Sequence, residues 1–418
     1  MECSLYIHVP FCAGSCDYCD FYSVPGFKPD LSAGNYTLVK YVNRVLLDLQ
    51  DAMRAFHVKS VPTVFIGGGT PSVLGPVLMK ELLQGIASLL PRGGSGLEEF
   101  TVEANPESCS EAFIAVCKDY GISRISLGVQ SFNRASRKAV HRLGEVRELG
   151  DRLALVLEAF PSGFSADLIA GLPFQTEKIL LDDIEKLVSY KPAHISLYAL
   201  TIEEGTPLAG QYAKIEAASQ APRLNSPDNI DRLWLAGRDA LEKAGYHQYE
   251  VSNFCKPGKE CKHNLRYWRM KNWLGAGPAA SSTIIDDNTG RGVRFTNTPD
   301  IEAWLARQSG EPPPRQEEWL DAVTLIKETL LMGFRYIEGP DAKLFKQRFK
   351  IGLEDAIPRT LSRWRERGLA EEAPPNPARA GLGKKGILFL DRFLIDAFAE
   401  IDAHRVKSTA KQCPRLAN

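Results

Sequence analysis

No stretch of this chain is apolar over the length that a membrane-spanning helix needs. Neither sign of charge prevails, since 51 Lys and Arg balance 51 Asp and Glu. The whole-chain field therefore gives no reason to expect nucleic acid or an acidic membrane as a partner. These absences leave room for transient contact with a membrane protein but not for a segment that crosses the bilayer. No secretory leader stands ahead of the first apolar run, which begins almost at Met1, so a cytoplasmic location is expected. In that reducing compartment nine cysteines do not make a disulfide framework. Near the N-terminus a second C-x2-C pair, which a structural zinc site ordinarily has, is also missing.

What stands there instead is Tyr6-Ile-His-Val-Pro-Phe-Cys12-Ala-Gly-Ser-Cys16-Asp-Tyr-Cys19-Asp-Phe21-Tyr22. The run Ser4 to Val9 alternates as a strand does, and Gly14, Ser15 and Asp17 make the following segment a loop. Three cysteines spaced C-x3-C-x2-C give three thiolates, which suit an iron–sulfur cubane with one iron left open to a non-protein ligand. Cys3, Cys109 and Cys117 read as packing residues.

Downstream, strand and helix patterns alternate. Helical spacing covers Tyr36 to Met53, Leu78 to Leu90, Glu111 to Tyr120, Gly150 to Ala159 and Glu177 to Ser189. Strands are expected over Val61 to Ile66, Glu98 to Glu103, Arg124 to Gly128, Ser165 to Ile169 and His194 to Ala199. Repeated strand–helix units imply a parallel sheet with right-handed crossovers, either an open barrel or a doubly wound sheet. Polar features fall where strands end, the cysteines, Gly67-Gly68-Gly69-Thr70-Pro71, Glu103 and Gln130, and Asp167 inside the fifth strand with Thr201 after the sixth extend the ring. A helix from Asp228 to Ala244 and a Trp-, Gly- and Asn-rich segment follow. Three successive prolines, Pro312 to Pro314, read as a linker over 306–317, dividing a first domain at 1–305 from a second at 318–404. In the second, Trp319 to Met332 and Pro358 to Arg367 read as helices, and Leu369-Ala370 with Gly386 to Leu390 as two strands, a winged-helix-like α+β unit. Residues 405–418 lack periodicity and read as a disordered tail.

The cysteine motif, with Tyr18 just before its last member, resembles the radical S-adenosylmethionine (SAM) superfamily. The resemblance implies a six-stranded partial (β/α) barrel, a [4Fe–4S] cluster on Cys12, Cys16 and Cys19, and SAM chelated by the open iron. Where the cluster is reduced, an electron donor is implied too. Residue by residue, it carries SAM contacts onto Tyr6, Gln130, Arg142 and Asp167, Glu103 included, and the SAM amino-group contact onto Gly68, Gly69 and Thr70. Leu127-Gly-Val-Gln-Ser-Phe132 and Asp167-Leu-Ile-Ala-Gly-Leu-Pro173 look like the oxygen-independent coproporphyrinogen III oxidase-like subfamily. Within it, Phe21 stands where the dehydrogenase has a fourth cysteine. His263-Asn264-Leu-Arg-Tyr267-Trp268 matches the H-N-x-x-Y-W motif of the HemW family of haem chaperones. Ser281 departs from that pattern, because many relatives have histidine there.

Read without the family, His263 beside two aromatics and Arg266 suits a haem site, with imidazole on iron and Arg266 on a propionate. A structural cluster of packed rings is the stronger reading of that spacing alone. Cys255, Cys261 and His263 make a weak metal pattern lacking a fourth ligand, and Cys413-Pro414 says little. The expected function is a haem chaperone that binds haem and delivers it to haem-requiring proteins. The alternatives are oxidative decarboxylation of coproporphyrinogen III and radical chemistry on an unrelated substrate.

Overall fold

Alternation sets the side-chain directions of β1 (Ser4–Val9): Leu5, Ile7 and Val9 are fully buried in a core shared with Leu38, Val42 and Leu83 of the flanking helices. Tyr6 and His8 are left for the other face, the interior of a curved sheet. The computed structural model describes residues 1–28, 34–218, 224–307, 310–311, 313–372 and 380–412.

From β1 the sheet grows in sequence order, every neighbour parallel: β2 (Thr63–Gly68), β3 (Glu99–Ala104), β4 (Arg124–Gln130), β5 (Phe164–Ala170) and β6 (His194–Ala199). Helices Tyr36–Ala55, Gly75–Leu89, Glu111–Asp119, Val146–Ala159 and Glu177–Ser189 form the crossovers. Several begin where a side chain accepts the first free amides: Asn35 from Thr37 and Leu38, Ser110 from Phe113, Thr176 from Ile179. Such caps contribute about 1 kcal/mol each. This is the partial barrel that the family resemblance implies; the strand–helix repeats alone left a doubly wound sheet equally open.

Both flanks of the six strands carry more sheet than the sequence patterns showed. Beyond β6 lie β8 (Asn253–Cys255) and β7 (His247–Gln248), both antiparallel. On the other side β9 (Trp273–Ala276) pairs parallel with β1, and β10 (Ser281–Asp286), β11 (Arg291–Asn297) and β12 (Arg315–Leu320) continue antiparallel, completing a twelve-stranded sheet. The expected linker at 306–317 therefore divides differently. Pro313 and Pro314 precede an edge strand, where a missing amide donor costs least, and Arg315–Leu320 pairs with β11 throughout. Trp319 sits on that strand, not on a helix. The helix begins at Ala322, capped by Asp321 on the Thr324 amide.

The C-terminal unit is helix-rich. Helices Ala322–Gly333, Ala342–Phe349, Leu353–Ala356, Pro358–Glu366 and Leu390–Gln412 surround Phe334, Phe345, Trp364 and Phe393, the last two edge to face at 5.2 Å. Its ribbon is β13 (Ala370–Glu372) with β14 (Ala380–Leu382). Gly386–Phe389, expected as a strand, is a 3-10 turn running into the last helix: Ile387 to Leu390 is a continuous apolar run without period-two alternation. That helix continues to Gln412, past the boundary expected at residue 404. Cys413 and Pro414 lie outside the described residues.

Candidate functional site

The cysteine loop leaves the C-terminal end of β1 and is tied down on several sides. The Cys12 amide donates to the Val24 carbonyl, the Cys19 amide to that of Cys16, and the Asp17 amide to that of Val140. The buried Asp17 carboxylate accepts from Gln211 at 2.6 Å and pairs with His141 at 2.8 Å. Burial pushes the Cys12 thiol up, and pushes Cys19 up to about 11. Groups beside the sulfurs work the other way. The Thr70 hydroxyl donates to Cys12 Sγ at 3.3 Å, and Arg142 Nη1 to Cys16 Sγ at 3.7 Å. Burial opposes the charge on Arg142, but Tyr18, Glu107 and Cys16 around it hold its pKa above the usual arginine value. A fixed guanidinium beside a sulfur favours the thiolate that iron needs.

One residue joins these two donors. Asn105 donates to Thr70 Oγ1 at 2.9 Å and accepts from Arg142 Nη2 at 2.7 Å. Sequence reading missed it, although it lies two residues past Glu103, where period-two alternation returns a side chain to the same face.

The glycine triplet brings the end of β2 against the loop. The Gly69 amide donates to the Val9 carbonyl and the Thr70 amide to that of Phe11, both at 2.8 Å. A Cβ on Gly69 would come within 2.8 Å of the Phe11 carbonyl oxygen. Gly68 has φ +108°, and a Cβ there would lie 2.5 Å from the His8 ring. Only glycine fits that conformation and that approach.

Inward-facing polar groups line the barrel above this floor. Glu103 accepts from the Gly68 amide at 3.1 Å. Burial first, and then the nearby Asp167 charge, push it up to about 8. Burial pushes Asp167 up to about 6, against hydrogen bonds from Ser196 and Ser126. Tyr6 bonds His8 at 3.0 Å, and burial raises its phenol. Gln130 ends β4 at φ +67°, beside a shift in strand register, and its Oε1 is buried without a partner. Tyr18 packs with Val140, Ile169 and Leu200. Thr201 is exposed just past β6. The structure thus brings Thr70 and Arg142 to the sulfurs and Gly68 and Gly69 to the strand end beneath the loop, with Glu103 and Gln130 near the ends of their strands and Tyr6 and Asp167 within theirs. Among the described residues, no three His, Cys, Asp or Glu side chains converge on a single metal ion. A cubane asks for something else, because each thiolate holds a different iron. Three loop thiols, an unpartnered amide oxygen and paired carboxylates suit such a cluster and a zwitterionic, cationic cofactor.

The H-N-x-x-Y-W segment lies elsewhere. Helix Lys262–Trp268 closes the opposite end of the barrel, where the strands begin. His263 is 1% exposed, and both ring nitrogens are engaged, Nδ1 with Thr63 at the start of β2 at 2.8 Å and Nε2 with Tyr267 at 2.9 Å. The Glu99 carboxylate, at the start of β3, accepts from the amides of Lys262 and His263 at 3.0 Å and from Cys261 Sγ at 3.2 Å. Arg124, at the start of β4, pairs with Glu99 at 3.1 Å. Burial and Arg266 push His263 down to about 3, so the imidazole is neutral. Asn264 is half-buried; Tyr267 meets Trp273 edge to face at 5.0 Å; Trp268 packs toward Tyr336 of the C-terminal unit. The segment is placed as a plug, and in this arrangement His263 has no free lone pair for iron. Six residues of strand, about 20 Å, separate the two ends.

Comparison with known proteins agrees with this geometry. Residues 6–187 match the radical SAM superfamily. The chain is 34% identical to a haem chaperone HemW of Lactococcus lactis over 84% of its own length and 86% of the relative's. It is 36% identical to the Escherichia coli haem chaperone HemW over 71% and 73%. The structure of the E. coli radical SAM enzyme coproporphyrinogen III oxidase superposes with a TM-score of 0.75 at 20% identity, covering 95% of this chain and 90% of that one, which is a likeness of fold. Membership of the superfamily implies a [4Fe–4S] cluster and SAM, and the residues described above fit both. With a third or more of its residues shared across most of the length of such relatives, the chain belongs to the HemW family of the radical SAM superfamily.

Proposed function

We propose that this protein is a haem chaperone: it carries a SAM-coordinated [4Fe–4S] cluster on Cys12, Cys16 and Cys19, binds haem, and passes it to haem-requiring proteins. The observation that carries this reading is the identity of 34–36% to proteins so named, over most of both chains, against 20% to the oxidase. Position 21 favours the same choice. Phe21 is 67% exposed beside the cysteine loop, an apolar ring at the place of a fourth thiol. The cluster, when bound, supplies an open iron and an electron. This chain's own part is to hold the thiolates beside Thr70 and Arg142, to offer Glu103 and Asp167 as acceptors to a cationic cofactor, and to exclude water with the packed barrel wall.

The experiment is anaerobic reconstitution of the cluster, followed by two assays on one preparation. Soret titration should show haem binding, and coproporphyrinogen III with SAM and a reductant should not be turned over. Decarboxylation of coproporphyrinogen III at an enzymatic rate would overturn the chaperone reading in favour of the oxidase.

A further inference from the structure

Where the barrel's β6 flank meets the C-terminal unit there is a cleft of about 470 Å³. That falls within the range of about 300–1,000 Å³ in which small-molecule and cofactor sites fall. Val251 and Ser252, from the turn between β7 and β8, form one wall. Leu388, Phe389, Leu390 and Arg392 form the other, with Arg335 between them. The Ser252 carbonyl accepts from the Leu197 amide of β6 at 2.8 Å, so this wall is fastened to the barrel.

Two features of the cleft ask for a ligand. Its apolar side is held open: Leu388 is 42% and Phe389 54% exposed, although the adjoining Ile387 and Leu390 are buried. The 3-10 turn that presents them lies close on the chain behind it, where a Cβ on Gly386 would come within 1.8 Å of the Leu369 carbonyl oxygen. Its polar side carries Arg335, whose charge acts on the buried Glu250 carboxylate, and Arg392. Among the described residues Arg335 Nε is buried without a hydrogen-bond partner, and its guanidinium lies 5.8 Å over the Trp268 ring. Arg392 is mostly exposed and pairs with Asp396 at 3.6 Å, the kind of helix-surface pair that contributes little and is readily exchanged. Asp391 adds one exposed carboxylate to the rim.

We propose that this cleft holds the tetrapyrrole, with the macrocycle lying on Leu388 and Phe389 and the two propionates paired with Arg335 and Arg392. The proposal rests on the haem-chaperone reading and gives it a site. A flat, apolar disc with two carboxylates matches an apolar wall with two guanidiniums in shape and charge. No lining residue is a His, Cys, Met or Tyr. The grip is on the ring and the carboxylates, and the iron keeps its axial positions for the ligands of a recipient protein. Trp268 beneath Arg335 then links the H-N-x-x-Y-W segment to haem through packing, not through iron coordination.

The test uses the full, cluster-loaded chain. Haem is titrated by its Soret band, and zinc protoporphyrin IX and protoporphyrin IX dimethyl ester by fluorescence. Haem and zinc protoporphyrin should bind within about tenfold of each other, and the dimethyl ester at least about tenfold more weakly, since it has lost two charge-assisted pairs. Arg392→Ala and Leu388→Asp alter exposed side chains and should leave the fold intact while weakening haem about tenfold or more. Arg335→Ala should act in the same direction. Wild-type affinity in both surface variants would overturn the cleft while leaving the chaperone reading in place. A preference for haem over the zinc porphyrin of a hundredfold would also overturn it, because a protein ligand on iron would then be required. Absence of porphyrin binding by the wild type would remove both the cleft and the chaperone reading.

Discussion

Asn105 presents its amide oxygen to Arg142 Nη2 at 2.7 Å while its amide nitrogen reaches Thr70. One uncharged side chain just past β3 therefore couples the residues that touch the sulfurs of Cys12 and Cys16. Asn105→Leu, close in size and unable to hydrogen-bond, should leave the fold in place and loosen both donors. A hydrogen bond to a charged group contributes about 1.5–3 kcal/mol, so loss of the reconstituted cluster to a chelator should quicken about tenfold or more. Wild-type kinetics of iron release would show that the coupling does not support the thiolates.

The three thiols should be jointly required. Removing one strips an iron of its protein ligand, so Cys12→Ala, Cys16→Ala and Cys19→Ala should each lack a full four-iron complement when iron and acid-labile sulfide are assayed after anaerobic reconstitution.

SAM binding should depend on pH through the raised carboxylates. Glu103 titrates near 8 and Asp167 near 6, and only the ionised forms attract a cationic cofactor. Affinity should rise from pH 6 to above 8, and Glu103→Gln should abolish the upper part of the rise. Without ligand the sign reverses. A carboxyl whose pKa is raised on folding stabilises the folded state while protonated, so its contribution is full below the unfolded value and lost as pH rises through about 8. Calorimetric titration of both proteins across that range checks the first statement, and thermal melts of the ligand-free proteins check the second.

His263 should behave as a structural residue. His263→Ala takes the imidazole from the Tyr267 hydroxyl inside a packed plug, while Thr63 keeps its hydrogen bond to Ser4, at a cost of about 1–3 kcal/mol for the group left unsatisfied. The melting temperature should fall while the haem Soret spectrum keeps its wild-type shape. The imidazole's pKa is pushed down to about 3, so its contribution to stability is present above the unfolded value and is lost as pH falls toward 3. The variant should lose that acid sensitivity in pH-dependent melts.

The legible part of this molecule was its local part. The Ser4 to Val9 alternation, the loop glycines and the helical stripe from Tyr36 each depend on neighbours in sequence, and β1 to β6 came out in order for that reason. Arg315–Leu320 escaped because an edge strand beginning after two prolines has no pattern of its own and is defined by its pairing with β11. The site was legible where a motif occupies a strand end, as at Gly68 and Glu103. Asn105 carries no motif and gains its role from Thr70 and Arg142, which are remote in sequence. Where His263 falls relative to the thiols was not legible for the same reason: spacing along a chain does not tell which end of a barrel a helix will close.

The parallel pairing of β9 with β1, Ser4 opposite Trp273 and Ile7 opposite Ala276, joins the strand that delivers the cysteine loop to a segment some 270 residues later. During synthesis the three cysteines leave the ribosome some 250 residues ahead of Trp273, and the sheet that fixes their strand stays open on one side until β9 has emerged. At about 5–20 residues per second that interval lasts on the order of half a minute. Cluster insertion is thereby set late in the life of the nascent chain, and ribosome-stalled chains ending before Trp273 should take up little iron compared with chains released at full length.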